Sequence, residues 1–149
     1  MTVAELGGIF LERYSKTRGK VSWKNDATML RNVGAFVIPS IGRSLGTLPV
    51  GSVTEDDCDV FMESLRARQL AASTRNKYLQ TLKALSAWGV RKGYLTAPWI
   101  MPGSDLKREK IARRERRLLP DEESKLLSVA PPGLYRLIVA ALETGCRLG

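Results

Sequence analysis

Apolar residues recur at helical spacing through most of the first hundred positions. Leu6, Ile9, Phe10 and Tyr14 fall on one side of a helix over residues 3–17, which Thr17-Arg18-Gly19-Lys20 stops. Ala27, Leu30, Val33 and Val37 make the buried stripe of a second helix. Ser22 caps it, Asp26 suits the positive end of its dipole, and Pro39 ends or kinks it. Gly42, Gly46 and Gly51, with Pro39 and Pro49, make residues 39–52 an irregular connection with room for a short turn. Thr54 followed by Glu55-Asp56-Asp57 opens a third helix, a cap with acids in the first turn. Val60, Phe61, Met62 and Leu65 supply its apolar side, and Arg66-Ala67-Arg68-Gln69 closes it. A fourth helix runs from a Ser73 cap to about residue 92, where Gly93 ends it. Tyr78, Leu82, Leu85 and Gly89 share its inner face, with Leu79 at the edge. No alternating strand pattern stands out in residues 1–98, so the pattern predicts four helices in a compact bundle.

Beyond residue 98 the pattern changes. Pro102-Gly103-Ser104 precedes a block over 107–117 with seven cations and two acids, which reads as an extended linker or a frayed helix. Leu119-Pro120-Asp121-Glu122-Glu123 then starts a new helix, with proline at its first position and acids in its first turn. It continues to Val129, and Pro131-Pro132-Gly133 breaks the chain. A last helix over 134–143 carries Leu134, Leu137, Ile138, Ala141 and Leu142 and leads into Thr144-Gly145-Cys146-Arg147. Two helices of this size cannot bury a core alone, so they pack on the bundle or belong to something larger. The expected organisation is a helical domain over 1–98, a basic linker over 99–117 and a further helical piece over 118–149.

Charge narrows the partners. The 149 residues hold 24 Lys+Arg against 15 Asp+Glu, a net charge of +9. That excess favours a polyanion: nucleic acid first, an anionic membrane surface second. No apolar run is long enough to span a membrane, and Met1-Thr2-Val3-Ala4-Glu5 lacks the start of a secretory signal. Cys58 and Cys146 lie far apart with no histidine to join them as metal ligands, and both read as thiols in a reducing cytoplasm. The absence of histidine also removes Ser-His and Cys-His nucleophile pairs.

The outer faces of two helices are informative because they lack acids. Lys24, Thr28, Arg31 and Ala35 share one face of the second helix. Asn76, Gln80, Lys83, Ala87 and Arg91 share one face of the fourth. Solvated faces normally mix signs, so donors and cations without carboxylates suit a phosphate backbone. Lys24, Arg31, Arg75, Asn76, Lys77 and Lys83 are the candidate contacts, with Lys77 angled nearest the Trp88 side. Arg147, just after a helix-ending glycine, is placed to be aimed at a phosphate.

This layout resembles the tyrosine recombinases, the phage integrase family. The stretch over 73–85, with Trp88 and Lys92-Gly93-Tyr94-Leu95, looks like the last long helix of that family's SAM-like core-binding domain. The Leu118-Leu119-Pro120-Asp121-Glu122-Glu123 start and the Thr144-Gly145-Cys146-Arg147-Leu148-Gly149 end look like the opening of its catalytic domain. The resemblance implies an all-α fold: a four-helix core-binding bundle, a basic linker and two helices of a truncated catalytic domain. It also implies enzymes that cut and rejoin double-stranded DNA through a phosphotyrosine, without metal or cofactor, among other recombinase protomers, and with no small-molecule substrate. Arg147 matches the first catalytic arginine. The family's His-x-x-Arg box is absent, and none of Tyr14, Tyr78, Tyr94 or Tyr135 follows Arg147, where the nucleophile belongs. The chain therefore reads as the front of an integrase, binding DNA but not recombining it unaided. The rival readings are a stand-alone binder that occupies integrase sites and a basic helical interaction module with no nucleic-acid role.

Overall fold

The computed structural model describes residues 1–17, 21–111 and 118–145. It is 65% helical, with six α-helices and one two-stranded sheet among these residues. The chain divides into two compact units, 1–111 and 112–149.

In the first unit α1 spans Val3–Phe10 and continues through a π-helical segment, Leu11–Lys16. The expected stop over 17–20 falls partly on residues 18–20, outside the described residues. Thr2 and Glu5 cap α1 reciprocally: Glu5 N–H donates to Thr2 Oγ1 and Thr2 N–H to Glu5 Oε2. Helix α2 spans Trp23–Ala35. Ser22 sits at its cap position, but its side chain makes no capping bond. Asp26 instead accepts from the buried Ser15 hydroxyl at 2.9 Å, tying α2 to the π-helical segment.

Two expectations about apolar stripes are corrected here. The second helix stops at Ala35, and Val37 lies in a short strand, β1 (Val37–Ile38), paired antiparallel with β2 (Arg43–Ser44). Alternation in β1 sends Ile38 into the core and leaves Val37 52% exposed. On α3 (Glu55–Ala67) the inner side is Cys58, Phe61, Met62 and Leu65, while Val60 is 39% exposed. The physical reason is helical pitch: Cys58 is one turn before Phe61 and Met62, whereas Val60 is rotated about 100° from Phe61. Thr54 and Asp57 close the expected capping box on α3.

Helix α4 spans Ala72–Arg91 and is the axis of the core. Ala71, rather than Ser73, holds its cap position. Tyr78, Leu79, Leu82, Leu85 and Trp88 are buried along it. Phe10 stacks on Tyr14 and meets Trp88 edge-on, while Phe61 bridges Phe36 and Tyr78. The loop between β2 and α3 is held against α2 by a close backbone crossing at Gly34 and Gly46. A Cβ on Gly46 would stand 2.7 Å from the Gly34 carbonyl oxygen.

The core does not end at residue 98. Trp99, Ile100 and Leu106 are buried with it, and Trp99 Nε1 donates to the Val50 carbonyl at 2.9 Å. The first unit therefore takes in residues 99–111 of the expected linker; residues 112–117 lie outside the described residues. In the second unit α5 spans Pro120–Val129 and α6 spans Pro132–Thr144. Neither helix buries a residue. Gly145 ends α6 with φ +63°, a left-handed turn that suits glycine, and its N–H donates to Ala141.

Candidate nucleic-acid interface

The outward face of α2 is open. Lys24, Thr28, Arg31 and Ala35 are all exposed. They are turned away from Val33, the buried residue on the opposite side. Neither Lys24 nor Arg31 shows a side-chain hydrogen bond or ion pair among the described residues. Helix α4 holds no acid anywhere along its length. Its open strip is Ser73, Lys77, Gln80, Ala87 and Arg91, all exposed. Lys77 and Gln80 also line one wall of a cleft whose other wall is Ser22, Asn25 and Asp26 at the start of α2.

Where an open face was expected around Asn76 and Lys83, the structure has a covered one. Residues 104–111 run as a strap across that side of α4. Asn76 is only 5% exposed and grips the Glu109 backbone in both directions. Its Nδ2 donates to the Glu109 carbonyl and its Oδ1 accepts from the Glu109 N–H, each at 2.8 Å. Lys83 Nζ donates to the Leu106 carbonyl at 2.8 Å. Arg75 forks onto the Glu109 carboxylate, with Nε to Oε1 at 2.9 Å and a second bond to Oε2, and also donates to the Leu70 carbonyl. Arg66 Nε reaches the same Oε1 at 3.2 Å. The bond from Arg75, ahead of that from Arg66, holds the Glu109 carboxyl down at about 2, against the upward pull of burial. Of the six candidate contacts, then, Arg75, Asn76 and Lys83 are brought together beneath the strap. Lys24, Arg31 and Lys77 stand exposed, Lys77 despite its angle toward the Trp88 side.

Near its start the strap is anchored to α3: Ser104 Oγ donates to Glu55 Oε1 at 2.6 Å, and Leu106 N–H donates to Ser104 Oγ at 3.0 Å. Leu106 and Glu109 face inward, three residues apart. Lys107, Arg108 and Lys110 are exposed, and Arg108 donates to Gln80 at 3.0 Å. These three cations were legible in the sequence only as part of a charged block. Leu106 lies just before them and Glu109 between Arg108 and Lys110.

The other chemical candidates are placed as follows. Arg147 and Cys146 lie outside the described residues. Burial, with Asp57 and Glu55 nearby, pushes the Cys58 thiol up to about 12, so it is a core residue and a poor nucleophile. Tyr14 and Tyr94 pack in the aromatic cluster, and the buried Tyr78 hydroxyl accepts from Asn32 Nδ2 at 2.8 Å. Tyr135 is exposed on α6. No group of His, Cys, Asp or Glu among the described residues could hold a metal ion. No described helix is long and apolar enough to cross a membrane.

No protein-family model and no curated protein matches the chain. Among solved structures it is similar to the Tn1549 transposon integrase (residues 82–397), solved in complex with circular intermediate DNA. The TM-score is 0.63 at 21% identity, over 99% of this chain and 47% of that one. The chain thus spans about half the length of that protein and shares its fold. The mostly helical architecture expected from the sequence is the one this chain shares with that protein over the matched region.

Proposed function

We propose that the chain binds double-stranded DNA as the N-terminal part of a site-specific tyrosine recombinase, acting in the cytoplasm with further recombinase copies on the same DNA. The observation that carries this reading is the α2 face, where Lys24 and Arg31 stand exposed, with no carboxylate on that face and no side-chain partner among the described residues. A face of that kind gains most from an external row of phosphates. Lys77, on the acid-free α4, adds a third contact. The fold shared with an integrase solved on DNA supports the same partner. Arg75, Asn76 and Lys83 act one step back, by holding the strap.

These 149 residues bind DNA without carrying out strand exchange by themselves. They contain no histidine; Tyr14, Tyr78 and Tyr94 are tied into packing, and the exposed Tyr135 precedes Arg147, whereas the nucleophile belongs after it. In strand exchange Arg147 would clamp two phosphate oxygens as charge builds in the transition state. Duplex binding is measured by fluorescence anisotropy across a salt series. Each phosphate contact adds about 0.9 to the slope of log K against log salt. Lys24→Ala with Arg31→Ala should make that slope shallower by about 1.8. Binding that ignores salt, or a double variant identical to wild type, refutes the reading and favours a basic protein-interaction module.

A further inference from the structure

The strap contains an arrangement that a count of charges does not explain. In a basic, DNA-binding unit the one acid between Leu106 and Ile111 is Glu109, and it is held by two arginines and a buried asparagine. The clamp engages both the carboxylate and the main chain, so it fixes where Glu109 is and also how the backbone runs through it. Fixing that backbone sends Leu106 inward, and leaves Lys107, Arg108 and Lys110 outward. Arg108 is further located by Gln80, in the open strip of α4 that also carries Lys77.

We propose that Glu109 is a positioning residue that pins residues 104–111 to the bundle, so that Lys107, Arg108 and Lys110 form a pre-ordered row for the phosphates of a DNA duplex. The inference rests on the DNA-binding reading above and deepens it by naming a second surface and the group that builds it. An undocked strap would carry the same cations, but binding would then have to order them at its own cost. In the pinned form that cost is met within the fold.

The test has an unusual sign. Removing a negative charge from a DNA-binding protein should strengthen binding if charge alone matters. Here Glu109→Ala should weaken it, by about tenfold in Kd at low salt, because the row loses its order. The salt slope should become shallower by about 0.9 for each strap cation that leaves the phosphates. Asn76→Ala, which leaves net charge unchanged, should act in the same direction. The pin itself is read without DNA: both variants should be cut faster by trypsin after Lys107, Arg108 and Lys110, while the helical signal at 222 nm stays. Tighter duplex binding by Glu109→Ala overturns the proposal, since the carboxylate would then be holding the place of a phosphate over Arg75. Equal binding by wild type and Glu109→Ala, or unchanged trypsin cleavage, overturns it too. A wild-type chain that does not bind duplex overturns the row together with the reading beneath it; normal wild-type binding with an indifferent variant overturns the row alone.

Discussion

Trp99 tests whether residues past 98 are linker or core. It is 5% exposed, it packs in the same cluster as Ile100 and Leu106, and its indole N–H donates to the Val50 carbonyl at 2.9 Å. Trp99→Ala removes a large buried side chain, which costs about 3–5 kcal/mol when the cavity only partly collapses. It also strands the Val50 carbonyl, for about 1–3 kcal/mol more. The sum, roughly 4–8 kcal/mol, is comparable with the whole stability of a small domain, about 5–15 kcal/mol. Urea unfolding followed by circular dichroism at 222 nm is the assay, because tryptophan emission would change with the substitution itself. The midpoint should fall steeply with the slope kept, or the variant should be unfolded in buffer. Trp99→Phe isolates the hydrogen bond and should lose the smaller share. A side chain in a solvated linker would change stability by no more than about 0.5 kcal/mol. A loss that small for Trp99→Ala refutes the placement of residues 99–111 in the first unit.

Two further outcomes follow from single contacts. Gly46→Ala should cost about 1–3 kcal/mol in the same assay, because its Cβ would meet backbone atoms of Gly34 that have no rotamer to yield; an alanine variant of native stability removes that crossing. For pH, Glu109 titrates at about 2 when docked, below its ordinary 4.5, so its contribution is fully present above about 4.5 and is lost as pH falls towards 2. The stability gap between wild type and Glu109→Gln should therefore be flat above 4.5 and shrink below it, and a carboxyl resonance titrating near 4.5 by NMR would refute the clamp.

The fold was largely legible because its signals are local. Thr54 with Asp57, Pro120 at a helix start and Gly145 at a helix end each act within one turn. The inner stripe of α4 follows from period alone. Val37 was misplaced because a β-branched residue at i+4 from Val33 fits a helix as well as a strand. What decided it was the pairing of Val37 with Ser44, a backbone contact that the spacing of apolar residues does not record. The candidate site was legible only in part, for a reason in the chemistry of donors. Asn76 and Lys83 present N–H groups on an acid-free face, and such groups are satisfied equally by phosphate oxygens or by main-chain carbonyls. In this fold the carbonyls are those of Glu109 and Leu106, from the chain's own basic segment. A donor-rich helix face therefore predicts an acceptor-rich partner without saying whose it is. The distinction rests on the inward residues of the covering segment, Leu106 and Glu109, which give that segment something to bury and something to pair. A charged block that contains such residues has a reason to dock. The cations beside them then become the exposed surface in place of the face they cover.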